Sequence, residues 1–238
     1  MNNKVSSFYN ASVNVEAIDS SLRQYMKNVF MHMSLGLAVT ALISYFVANS
    51  EVLLSMMFSA RFAILGLCLI ELFIVGYLSV RITKMSPTQA KLLFYVYSML
   101  NGLTLAPLCL VYTGVSIATT FFVTSSMFLS MTIYGYVTDK DLTSFGSFLI
   151  MGLFGIIIAS IVNLFVHSSG LSFVISAIGV VIFTGLTAYD TQAIKSLYFE
   201  ADSLEVSDKK AILGALTLYL DFINLFLYLL RFLGDRRN

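Results

Sequence analysis

Two aspartates stand where this chain is otherwise most apolar. Asp221 lies near the middle of LTLYLDFINLFLYLLRFL (216–233), and Asp190 lies in the hydrophobic segment before it, within TAYDTQAIK (187–195). Of 13 Asp and Glu residues, only Glu71, Asp190 and Asp221 fall inside apolar segments. An ionised acid at the centre of a lone membrane helix costs about 2.5–3.5 kcal/mol on insertion scales, so such groups normally turn toward a bundle interior and toward a partner. One ordinary outcome is a single helix–helix hydrogen bond, and for Glu71 alone that reading carries as much weight as any functional one. Two acids on neighbouring segments offer more. Carboxylates brought together in low dielectric do not easily hold two negative charges, so they share a proton. Ionised, the same two groups are hard oxygen ligands suited to a divalent cation such as calcium.

Spacing supports a meeting of the two. Asp190 is about one helical turn from Lys195, where its segment ends. Asp221 is ten residues beyond Ala211, where the last segment starts, or roughly 15 Å along a helix. Antiparallel neighbours therefore place both carboxyl groups in the same half of a membrane. Asn224 and Tyr228, three and seven residues after Asp221, extend a polar stripe on one face of that helix. Arg81 ends the second apolar segment and is a basic group that could meet ionised carboxylates. Its simpler role is a snorkelling residue at the membrane surface.

The elements that must position these residues are membrane helices. The chain has 238 residues, 58% hydrophobic and 11% charged, with a mean hydropathy of +0.86. Soluble domains carry about 25% charged residues. A net charge of +1 without any basic cluster gives no footprint for nucleic acid. Cys68 and Cys109 sit in apolar runs without ligand spacing and read as small packing residues. After a polar tail at 1–27, apolar stretches run near 28–48, 62–81, 92–112, 115–137, 144–166, 171–194 and 211–233, leaving a short charged tail at 234–238. Each stretch suffices to cross roughly 30 Å of hydrocarbon as a helix. Their continuity argues against the alternation of a β-barrel. No removable signal peptide is expected from the polar start. One all-α domain of seven transmembrane helices follows.

Lysine and arginine set the orientation. With the N-terminus in the cytoplasm, the inner side collects Lys4, Arg23, Lys27, Arg81, Lys84, Lys91, Lys140, Lys195, Lys209 and Lys210, ten in all, against Arg61, Arg231, Arg236 and Arg237 outside. If the seventh segment entered and returned, the last three would move inside, so crossing and re-entry both stand at this point.

TAYDTQAIK and LYLDFINLFLYLLRFLG (218–234), together with NGLTLAPL (101–108), resemble the transmembrane Bax inhibitor motif family, in particular its bacterial members. The resemblance covers nearly the whole chain. It implies six helices around a central seventh and a pH-sensitive calcium leak channel gated by an aspartate pair on helices six and seven. That role falls on Asp190 and Asp221, with Arg81 engaging the pair when the path opens. It also implies calcium as the permeating or transiently bound ion, no resident cofactor, and an integral protein of the bacterial inner membrane in contact with the lipid bilayer.

Two other classes compete. A non-conducting membrane protein could modulate partner proteins, such as a quality-control protease or a stress pathway component, with 1–27 as a handle. An intramembrane aspartyl protease also places aspartates on its sixth and seventh helices, and Tyr189-Asp190 fits its first motif. The second motif needs a Gly-x-Gly-Asp turn, where Tyr219-Leu220-Asp221 stands instead. Gly114-Val115-Ser116-Ile117 echoes a rhomboid nucleophile, but His32 and His167 lack a supporting context. The chain is therefore expected not to be an enzyme.

Overall fold

The computed structural model of the protein describes residues 2–59 and 63–237, with side chains described for 19–57 and 64–237. Lys4 and Arg61, which entered the charge reading, have side chains outside the described residues. The helices are α1 (Asn2–Ala48), α2 (Glu51–Ser59), α3 (Ala63–Arg81, extended by the 3₁₀ turn Ile82–Lys84), α4 (Pro87–Leu105), α5 (Leu108–Val111), α6 (Gly114–Val137), α7 (Thr143–Val166), α8 (Ser169–Ser196) and α9 (Leu204–Leu233). Seven spans among them are long and apolar enough to cross a membrane. The side chains facing outward confirm the solvent they are built for: Val115, Phe122, Leu164 and Phe165 are each 70–80% exposed, an arrangement that water would penalise and lipid does not.

Short polar caps separate the spans. Ser86 and Gln89 form a reciprocal capping box with Pro87 in the first turn of α4, and Thr113, Ser168 and Ser203 each accept a backbone N–H at the starts of α6, α8 and α9. Such caps satisfy the orphan donors of a helix start. Several boundaries differ from the hydropathy reading, and the first span begins at Asp19, within α1, rather than near 28. The third span begins at Pro87 rather than near 92, and it breaks at Ala106-Pro107 before resuming as α5; proline has no N–H to continue the ladder and restricts the residue before it. Between the first two spans lies the short helix α2, which the sequence reading left as loop. α9 starts at Leu204 rather than near 211, because Glu205, Asp208, Lys209 and Lys210 lower hydropathy without disfavouring a helix.

The question of the seventh segment is settled. At the start of α9, Lys209 donates to Thr83 O and Lys91 pairs with Asp208. Past its end, Thr113 N donates to Asp235 O and Arg237 N to Val111 O. These contacts lie at opposite ends of α4, so α9 traverses the bundle and leaves Arg231, Arg236 and Arg237 at the end away from Thr83.

α9 is also the most enclosed span: 61% of its apolar window is buried, against 11% for both α3 and α7. It packs on α1, α4, α6 and α8, while α3 packs mainly on α4 and α7 on α8. The packing puts four helices most closely against the seventh span, and the ring of six implied by the resemblance is not shown. Without a hydrophobic drive between helices in lipid, close approach depends on small residues. A Cβ at Gly135 of α6 would collide with Ala188 O of α8, two residues before Asp190. One at Gly214 of α9 would sit 2.9 Å from the Ile194 side chain of α8.

Candidate functional site: a buried acid pair beside a polar relay

α8 and α9 form the most extensive helix interface of the bundle, and it brings Asp190 and Asp221 together. Each carboxyl group lies within hydrogen-bonding reach of the other. Asp221 is 5% exposed, and its Oδ2 is sealed from solvent with no hydrogen-bond partner. No N–H or O–H among the described residues faces that oxygen. Two carboxylates are both acceptors, so a bond between them exists only when one of them holds a proton. The geometry therefore has a proton-dependent contact at its centre.

The end of α8 that carries Asp190 is held in place. Gln192 donates to Lys140 O and accepts from Leu142 N, and Lys195 donates to Tyr136 O at 2.8 Å with its ammonium 5.0 Å over the Tyr136 ring. These bonds strap α8 to the turn between α6 and α7 and occupy the lysine nearest to Asp190 in sequence. Arg81 is exposed at the end of α3 and makes no ion pair with a described residue. No salt bridge among the described residues involves either acid.

The remaining expected residues lie elsewhere. Asn224 donates to Leu220 O, one turn back on its own helix. Tyr228 stacks on Phe183 at 5.7 Å. Neither reaches the acids. Glu71 is buried in a second polar site, where Thr104 Oγ1 and Asn101 Nδ2 donate to its two oxygens. Asn101 Oδ1 in turn accepts from the Tyr219 hydroxyl at 3.1 Å, and that hydroxyl is 2.6 Å from Thr40 Oγ1. The relay joins α3, α4, α9 and α1. Tyr219 is fully buried, with Phe94 and Tyr97 edge-on to its ring at 5.8 and 5.6 Å.

Sequence reasoning missed Tyr219, Asn101, Thr104 and Thr40 as site residues. A signal existed in the i, i+3 spacing of Asn101 and Thr104, which sets both on one face of α4, toward Glu71.

Among the described residues, no three His, Cys, Asp or Glu side chains gather as a metal-holding group. The pair alone supplies four carboxylate oxygens, whereas calcium takes six to eight ligands. A cation meeting it would complete its shell with water.

Comparison with known proteins places these features in a family. Residues 22–238 match the family described as "Inhibitor of apoptosis-promoting Bax1". An uncharacterized protein of Rickettsia prowazekii is 49% identical over 223 residues, covering 94% of each chain. The inner membrane protein YbhL of Escherichia coli K12 is 46% identical over 220 residues, covering 92% of this chain and 94% of the relative. A Borreliella burgdorferi protein is 48% identical over 216 residues, 90% of this chain and 93% of its own. The acid pair and the traversing last helix are thus features of an integral membrane protein that belongs to the Bax inhibitor family.

Proposed function

We propose that this protein is a pH-sensitive calcium leak channel of the bacterial inner membrane, with the Asp190–Asp221 pair as its gate. One observation carries the reading: Asp190 and Asp221 meet in the α8–α9 interface, where an Asp221 oxygen is sealed from solvent with no hydrogen-bond partner among the described residues. At lower pH the shared proton bonds the carboxyl groups and holds α8 against α9. At higher pH the proton leaves and two like charges face each other. Unit charges about 4 Å apart at an effective dielectric of about 20 repel by roughly 4 kcal/mol, enough to move a two-state equilibrium about a thousandfold. The repulsion is relieved by separation of the helices, by an entering cation, or by Arg81. α3, which carries Arg81, is an outboard helix with little of its surface buried, which suits it to shift.

The N-terminus is assigned to the cytoplasm, so the basic turns around Thr83, Lys140 and Lys210 lie inside. A non-enzymatic role fits α9, which runs as an unbroken helix through Asp221 where a protease would need a glycine turn. Calcium flux into liposomes carrying the purified protein, from pH 6 to 8, tests the proposal. Flux that rises with pH and loses that dependence in Asp190→Asn supports it. Flux equal to that of empty liposomes at every pH would refute it and favour a modulator of membrane partners, with the acids as a clasp.

A further inference from the structure

α1 and α6 both lean on α9 but scarcely touch one another, and a cleft of about 1000 Å³ runs between them. That volume is at the upper end of small-molecule sites. Phe30, Leu37 and Ala41 line its α1 wall, Phe128 and Leu129 its α6 wall, and Phe222 of α9 its floor. From Lys27 to Ala41 the α1 wall spans 15 residues, roughly 21 Å, longer than the roughly 15 Å depth of one leaflet's hydrocarbon. The cleft changes character at one end. Arg23 and Lys27 belong both to it and to an adjoining polar recess of about 390 Å³. Lys27 makes no ion pair with a described residue, while Arg23 pairs with Asp19. Among the described residues, two cations and one carboxylate leave that mouth positive.

We propose that the α1–α6 cleft binds one anionic phospholipid from the surrounding bilayer, its acyl chain along the apolar walls and its phosphate between Arg23 and Lys27. A zwitterionic lipid would bring an ammonium group against the positive mouth, which disfavours it.

Native mass spectrometry of the full-length protein in detergent, with phosphatidylglycerol and phosphatidylcholine of identical chains, tests the site. Juxtamembrane Lys or Arg contributes about fivefold each to anionic lipid binding. The wild type retains one phosphatidylglycerol in preference to phosphatidylcholine, and Lys27→Gln lowers that preference about fivefold. Ala38→Phe, at an exposed position lining the cleft, loses the lipid while leaving the basic mouth intact and the melting temperature unchanged. Equal retention of both lipids, or phosphatidylglycerol binding untouched by Ala38→Phe, would overturn the proposal. So would binding that appears only after deletion of residues 2–18, which would make that segment the occupant.

Discussion

α9 carries polar groups on two faces, and the bundle treats them differently. Tyr219 and Asp221 are two positions apart, about 200° around the helix, so one meets α1 and α4 while the other meets α8. On the Tyr219 face every polar atom has a partner: Glu71, Asn101 and Thr40 form a closed relay whose bonds do not depend on an extra proton. On the Asp221 face an oxygen is sealed without a hydrogen-bond partner, and the facing group is a second acid. The first face has one satisfied arrangement and acts as a clasp. The second is satisfied in one protonation state and strained in the other, which is what a switch requires.

Four substitutions would break or sharpen this contrast. Tyr219→Ala removes a fully buried ring from the Phe94–Tyr97 cluster and should cost about 3–5 kcal/mol, seen as a large drop in melting temperature or as failure to fold. The pair should instead reveal itself through pH. A proton held by the folded bundle and released by the unfolded chain stabilises the fold at low pH, and that stability declines as pH rises, by up to about 1.4 kcal/mol per pH unit. Melting curves of the wild type should therefore fall more, or rise less, from pH 6 to 8 than those of Asp221→Asn; an identical pH dependence in the two would exclude a shared proton. Tyr219→Phe leaves Asn101 Oδ1 short of a donor and should cost about 0.6–1.7 kcal/mol, the usual range for interhelical hydrogen bonds in lipid, at both pH values alike. Asn224→Ala should change stability by less than about 0.5 kcal/mol, since its amide bonds only its own helix. A larger loss would restore Asn224 to the site.

The acid pair was legible in the sequence because charge inside an apolar segment is costly, and cost implies a partner. Its meeting could be placed by counting turns from Lys195 and Ala211. The relay was not legible in the same way. Asn, Thr and Tyr are tolerated singly in membrane helices, and Thr40 and Tyr219 are 179 positions apart in the chain, so no local pattern joins them. Hydropathy likewise found seven spans but misplaced the start of α9, where charged residues continue a helix that the window reads as loop. Arg81 was placed correctly at a helix end. Composition could not say whether α3 brings it to the acids, and here it stands apart from them.

The account turns on which face of α9 sets the response to pH, and calcium flux into liposomes at pH 6 and pH 8 from wild type, Asp221→Asn and Tyr219→Phe measures that directly. The account predicts faster flux at pH 8 for wild type and Tyr219→Phe, and equal flux at the two pH values for Asp221→Asn. PH-dependent flux that survives in Asp221→Asn, or that disappears in Tyr219→Phe, would contradict it.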